Sequence, residues 1–329
     1  MEAEDRDSVE MWIRANEESL LKQSRSFAIP ILNLDIRFRA PIMVEYNLNK
    51  AIDTIEDSIS LEPDEKIDLI HTFCEYLDRD GFSPEVQKRM FEVTPREEVF
   101  VFKNYDSSIS LYNTLSKEEK GLAKRWIKEM AKGMCGFLTR PIDTLKDLND
   151  YCYYVAGTVG IYLTNLLKLK GSNMSQKVLK KLEDNAVSLG LFLQKLNIVR
   201  DFEEDKARKK RAFWPQSYFK DEKDHVKILN KMCYETLKND VPRAIEYFKQ
   251  IPPGNDSYDY FIRFILSSGI EYLKILKSNE SVFSTIKVKL PKIFIKNLYK
   301  KVSSQSREEF REYCERSQAE EMAYYCEKF

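Results

Sequence analysis

Leu189 to Asp205 reads LGLFLQKLNIVRDFEED, an apolar run that turns acidic over its last five residues. It closes a longer stretch, Gln176 to Glu204, that follows the helical period after a break at Gly171–Ser175. The same period recurs on either side. Thr144 to Leu169 is a long candidate dominated by apolar and tyrosine residues, and Ser116 to Leu138 opens on a capping-box pattern at Ser116 and Glu119. Pro41 to Ile55 places Ile42, Val44, Tyr46, Leu48, Ala51, Ile52 and Ile55 on one broad apolar face. Further helical patterns run over Val9–Leu21, Ile67–Tyr76, Val226–Leu237, Val241–Tyr247, Tyr258–Leu276 and Phe294–Val302. Asp78–Pro84 and Pro252–Gly254 read as links, and Ser284–Leu290 is the one modest strand candidate. No repeat or clear domain boundary interrupts this order, so a single all-α domain is expected.

Composition narrows the chemistry. The 329 residues are 43% hydrophobic, enough for a large core. Lys plus Arg and Asp plus Glu are each 53, a balance that argues against nucleic acid as the main partner. Six cysteines without a C-x-x-C pair fit a reduced compartment. No apolar run reaches the roughly 18 residues of a spanning helix, and the acidic N-terminus is unlike a signal peptide. With only His71 and His225, a histidine-rich zinc site is excluded and a Ser-His-Asp triad is disfavoured. Carboxylates are left to carry the chemistry.

Two segments supply them. Asp53, Glu56 and Asp57 occupy i, i+3 and i+4 of the Pro41 helix, and Asp201, Glu204 and Asp205 repeat that spacing. One such cluster usually marks a solvated face. Two, each closing an otherwise apolar helix, suit hard divalent cations, Mg2+ best, bridging to substrate phosphates. Gln194, Asn197 and Asp201 fall at i, i+3 and i+7 with Arg200 and Glu204 alongside, where amides would orient waters or ligands or simply face solvent. The basic loop Lys206–Arg211 suits a diphosphate or a soluble turn equally. Tyr151 to Gly160, YCYYVAGTVG, sets tyrosines beside Gly157 and Gly160; the glycines imply close approach of a helix or ligand, and the tyrosines either core packing or a phenol placed for proton handling.

SRSFA (Ser24–Ala28), DTIED (Asp53–Asp57), YCYYVAGTVG, LGLFLQKLNIVRDFEED and AFWP (Ala212–Pro215) together resemble the squalene/phytoene synthases, in their squalene synthase branch, from about residue 20 to 300. The resemblance implies an isoprenoid synthase-type helical bundle with a central hydrophobic tunnel. It divides the chain into an N-terminal helical extension (1–22), a catalytic domain (23–302) and a charged C-terminal tail without a membrane span (303–329). It implies Mg2+-dependent head-to-head joining of two farnesyl diphosphates through presqualene diphosphate, then reduction with NADPH to squalene.

Carried over residue by residue, Asp53, Glu56 and Asp57 with Asp201, Glu204 and Asp205 would hold Mg2+ against the diphosphates. Ser24, Arg25 and Phe27 match the first substrate-contact segment, Arg39 and Tyr46 its polar wall, and Lys50 the position of a diphosphate-binding arginine. Gln194, Asn197 and Arg200 match residues supporting the second metal helix. Tyr151 matches the tyrosine proposed to remove a proton during cyclopropane formation, and Phe261 an aromatic residue of the second half-reaction. Lys287, Lys289 and Lys292 retain the charge of a basic NADPH motif.

This chain departs from the family pattern at four places: Lys50 for arginine, Ser58 for a further aspartate, Phe264-Ile265-Leu266-Ser267 for I-P-Q-V, and Pro291 for an arginine of the basic motif. The first two bear on diphosphate and metal binding, the last two on the reductive half. They leave open a diverged C30 synthase stopping at presqualene diphosphate or releasing another product, and a non-catalytic family member. Peripheral association with a membrane, such as the endoplasmic reticulum, is expected from the insolubility of the product; a cytoplasmic location and a monomer are expected as well.

Overall fold

Helix follows helix along the chain, and among the residues described no strand is present. The computed structural model describes residues 3–96, 98–208, 211–220, 222, 224–277, 279–284, 288 and 290–328. Its helices are α1 (Ala3–Gln23), α2 (Arg25–Leu32), α3 (Ile36–Asp57), α4 (Pro63–Asp78), α5 (Pro84–Val93), α6 (Phe100–Lys103), α7 (Tyr105–Asn113), α8 (Lys117–Leu138), α9 (Leu145–Cys152), α10 (Thr158–Leu169), α11 (Gln176–Arg200), α12 (Phe202–Arg208), α13 (His225–Asn239), α14 (Val241–Gln250), α15 (Asp256–Leu276), α16 (Lys292–Ser304) and α17 (Arg307–Cys326). A π turn, Tyr153–Gly157, joins α9 to α10, and 3-10 turns cover Gln216–Phe219 and Glu280–Phe283.

Local chemistry sets the ends. Ser116, Thr144 and Ser306 each form a reciprocal capping box with the acid three residues on. Asp35 starts α3 earlier than Pro41 would suggest, because its Oδ1 accepts the Arg37 N–H at 2.9 Å. Pro41 is therefore accommodated inside the helix. Of the segment read as a strand, the described residues Ser284, Val288 and Leu290 are not in one. Ser284 instead turns back to the Ser281 carbonyl at 2.8 Å, and a lone strand would have no ladder to join.

The contacts group the chain into two compact units, one of residues 1–140 with 165–172 and one of residues 141–164 with 173–329. In the first, α3 is the buried axis, packed by α1, α2, α4, α6, α7 and α8. Asn47 on α3 donates to Asn16 Oδ1 of α1 at 2.8 Å, and Ser108 of α7 donates to the same oxygen at 2.8 Å, so a buried amide network fixes the three helices.

In the second, α11 is the axis, packed by α9, the π turn, α13, α14 and α15. The packing there depends on glycine. A Cβ at Gly160 would lie 2.5 Å from the Ala186 carbonyl oxygen, and one at Gly190 would lie 2.5 Å from that of Ala156. The close approach implied by the YCYYVAGTVG run is thus helix against helix. Residues 307–326, within the segment expected as a charged tail, form α17, which buries Phe310, Tyr313, Cys314 and Tyr325 against α13, α14 and α15. Arg307 pairs with Asp259 and donates to the Phe248 and Ile251 carbonyls at 3.2 Å each.

Candidate active site

On α3, Tyr46, Lys50, Asp53 and Asp57 stand at i, i+4, i+7 and i+11, one stripe of the helix, and all four are half-buried. Lys50 pairs with Asp53. Burial alone would favour its neutral amine, but Asp53 and Asp57 outweigh that and hold it more firmly charged than a free lysine. The Ser24 hydroxyl caps α2 by accepting the Phe27 N–H at 3.2 Å, and the Phe27 and Tyr46 rings lie 6.3 Å apart. Burial raises the Tyr46 phenol, with Lys50 and Ser24 opposing. One connected patch therefore contains Ser24, Phe27, Tyr46, Lys50, Asp53 and, through its charge, Asp57.

Three residues of the same expectation are placed differently. Arg39 donates to the Leu34 carbonyl at 3.2 Å and meets Glu17 of α1 at 3.8 Å. Glu56 is only 3% exposed and sits near Cys135 of α8, on the core flank of the stripe. Arg25 lies in α2, and its side chain is outside the described residues.

The second acidic motif is not the continuous helix its spacing suggests. α11 ends at Arg200; Asp201 is its C-cap, and α12 restarts at Phe202. Backbone bonds from Asp201 N–H to Asn197 O (2.9 Å) and from Asp205 N–H to Asp201 O (2.8 Å) carry the i+4 relation across the break. Arg200 holds the Asp201 carboxylate with two nitrogens, Nε to Oδ1 at 2.8 Å, and lies over the Tyr272 ring at 5.8 Å. Burial opposes the Arg200 charge, but Asp201 and then Tyr272 outweigh it and raise its pKa. Asn197 donates to Gln194 Oε1 at 3.4 Å, so those two amides form one pair a turn ahead of the motif. Glu204 and Asp205 are half-buried on α12.

Tyr151, 4% exposed, is the penultimate residue of α9, two positions ahead of the π turn. Its ring lies 5.0 Å from that of Phe213, and the Arg211 guanidinium stands 5.6 Å from the first ring and 4.6 Å from the second. Arg211 of the basic loop is thereby joined to the phenol. Phe261 is buried in α15 with its ring 6.2 Å from Tyr258. Lys287 and Lys289 lie outside the described residues; Lys292 opens α16, its side chain outside them too, after Pro291 as N-cap. His71 is exposed, and His225 is exposed and stacked on Phe283.

Sequence reasoning missed Tyr272, Glu45 with Asn49, and the buried pair Lys195–Asp240 (2.6 Å). Glu45, 2% exposed on α3, accepts from Asn49 Nδ2, and burial pushes its carboxyl up to about 8. The only signal available was a lone acid inside an apolar face. For Tyr272 there was none. A cleft of about 650 Å3 lined by Tyr218, Lys231, Tyr234, Glu235 and Tyr325 holds none of the expected site residues.

The model of the squalene/phytoene synthases matches residues 20–293. The chain belongs to that family. Within it the relatives are squalene synthases: the bovine enzyme is 29% identical over 295 residues, covering 86% of this chain and 68% of its own, and the mouse enzyme is 30% identical over the same spans. The Botryococcus braunii squalene synthase LSS is 34% identical over 241 residues, covering 67% and 49%. Among solved structures, TcSQS in complex with E5700 superposes with a TM-score of 0.78 at 27% identity, over 95% of this chain and 99% of that one. A dehydrosqualene synthase shares the fold, with a TM-score of 0.65 at 18% identity. The squalene synthase branch and the all-α isoprenoid synthase-type bundle expected from the motifs are thus both found, and family-level prenyl condensation chemistry with them.

The donor sets fit a hard cation. Each motif offers half-buried carboxylates beside a cation, and among the described residues no three His, Cys, Asp or Glu side chains converge into a cage. Mg2+ asks for no cage; it takes one or two carboxylates and completes its shell with water and phosphate oxygens. At the other expected cofactor position, the first turn of α16 carries no acid, which suits an anion such as a dinucleotide phosphate. Among the described residues no helix is long and apolar enough to cross a membrane.

Proposed function

We propose that this chain joins two farnesyl diphosphates head to head through presqualene diphosphate and reduces that intermediate with NADPH to squalene. One observation carries the reading: both D-x-x-E-D motifs keep half-buried carboxylates paired with a cation, Lys50 at Asp53 and Arg200 at Asp201. Mg2+, bound through Asp53, Asp57, Asp201, Glu204 and Asp205, would neutralise the diphosphate and make it a leaving group. Lys50 and Arg200 hold their carboxylates in place before substrate arrives and offer positive charge to the diphosphate oxygens. Ser24 and Tyr46 supply polar contacts at the same face. The Tyr151 oxygen, as a phenolate favoured by the Arg211 guanidinium over its ring, takes the proton lost as the cyclopropane closes and becomes the phenol. Phe261 offers a ring face to positive charge in the second half-reaction.

The enzyme works as a cytoplasmic monomer, drawn to a membrane such as the endoplasmic reticulum because its product needs a lipid sink. A second reading, release of presqualene diphosphate or another C30 product, is favoured by Pro291 at the α16 N-cap, where the family motif has an arginine. Incubation with radiolabelled farnesyl diphosphate and Mg2+, with and without NADPH, separates the two. Squalene formed only with NADPH is the expected result. The same product in both tubes selects the second reading, and no released diphosphate defeats both. Tyr151→Phe should slow condensation about a hundredfold while leaving binding of Mg2+ with inorganic pyrophosphate unchanged; an unaltered rate removes the proton role.

A further inference from the structure

Tyr272 lies on α15, and two separate segments meet on it. The Arg200 guanidinium stands 5.8 Å from its ring centre. The Leu290 N–H, two residues before α16, donates to the same hydroxyl oxygen at 3.3 Å. Arg200 in turn grips Asp201. Four groups therefore run in line: carboxylate, guanidinium, phenol and backbone amide. Arg200 is half-buried and Leu290 is 8% exposed, so the line is only partly screened by water.

We propose that Tyr272 is a positioning residue that couples occupancy of the Asp201 motif to the placement of Leu290 and the start of α16. The physical basis is the charge over the ring. The Arg200 guanidinium draws electron density from the phenol and weakens its oxygen as an acceptor for the Leu290 amide. A diphosphate at Asp201 draws Arg200 toward its own oxygens, relieves the phenol, and tightens the Leu290 bond. By linkage, anything that holds Leu290 in place strengthens diphosphate binding in the same proportion. The inference rests on the function proposed above, where condensation must precede reduction; the coupling would ready the basic α16 end once diphosphate is in place.

Amide exchange at Leu290 tests this on the full chain, with Mg2+ and inorganic pyrophosphate as the probe and calorimetry as the measure of its binding. In the wild type, saturation should slow Leu290 exchange about fivefold or more, the range of ordinary coupled sites. Tyr272→Phe keeps the ring beneath Arg200 but removes the oxygen that Leu290 bonds; it should still bind the probe and show no slowing. Tyr272→Leu removes the ring as well and should weaken probe binding beyond the Phe variant. Equal slowing in wild type and Tyr272→Phe overturns the inference, as does a wild type that binds the probe without any change at Leu290. A wild type that binds no probe at all defeats the functional reading, and the inference falls with it.

Discussion

The acidic end of α3 and the acidic junction of α11 with α12 share one spacing and are built on different principles. On α3 the motif lies inside an unbroken helix, and its counter-charge is a lysine one turn back on the same stripe. At the junction the helix stops at Asp201, and the counter-charge is the adjacent arginine, held by two nitrogens and supported from α15. Lysine is a mobile point charge that shifts easily to an arriving phosphate; a bidentate arginine fixes the plane of its carboxylate. The two middle acids separate as well. Glu56 is driven into the core near Cys135, whereas Glu204, on a short new helix, stays half-buried. Identical spacing thus leaves two half-buried carboxylates in one region and three in the other.

Each axis helix also carries a buried ionisable group ahead of its motif. Glu45 on α3 has an amide for a partner; Lys195 on α11 has a carboxylate. Burial raises both acids, Glu45 and Asp240, but only at Asp240 does a buried lysine oppose it.

Breaking the comparison outright needs the carboxylates. Asp53→Asn and Asp201→Asn should each lower turnover by about a hundredfold or more with far-UV circular dichroism intact, the scale of losing an electrostatic group that acts in the transition state. Full activity in either variant removes that motif from the site. Lys195→Met should cost about 3–5 kcal/mol in chemical denaturation, because Asp240 is left buried and uncompensated; a loss below about 1 kcal/mol would mean the pair is not held dry.

The counter-charges sharpen the contrast further. Arg200→Lys should weaken binding of Mg2+ with pyrophosphate about tenfold, as supporting-residue changes at metal sites do, whereas Lys50→Arg should leave it equal or tighter. The reverse order would mean that the α3 cation is the one with fixed geometry.

The smallest effect is at Glu45. Its folded pKa of about 8 lies above the ordinary 4.5, so the fold keeps a proton the unfolded chain gives up. The stability this group permits is complete below the lower value and is lost as pH rises through the upper one. Glu45→Gln should therefore melt a few degrees above wild type at about pH 9 and together with it near pH 4. Parallel pH profiles would show that Glu45 is ionised in the fold.

Much of the fold was legible because its signals are local. The capping box at Ser116 and the break at Gly171 both lie where short-range bonding puts them. Gly157 and Gly160 pointed to close approach, though only the packed helices show that its partner is the Ala186 turn of α11. The π turn at Tyr153 and the stop at Asp201 were not legible, since periodicity alone cannot register one extra residue in a turn or a carboxylate that leaves the helix to be held by its neighbour.

The sequence by itself determined an all-α chain of this family and named its carboxylates, Lys50, Arg200 and Tyr151, because helical period, capping and motif spacing are written within a few residues of one another. The tertiary structure decided which of those side chains share a face. It turned Glu56 inward and Arg39 toward Glu17, joined Phe27 to Tyr46 and Arg211 to Tyr151, and placed Tyr272 under Arg200. Burial and ion pairing depend on groups far along the chain, and only packing brings those groups within reach of one another.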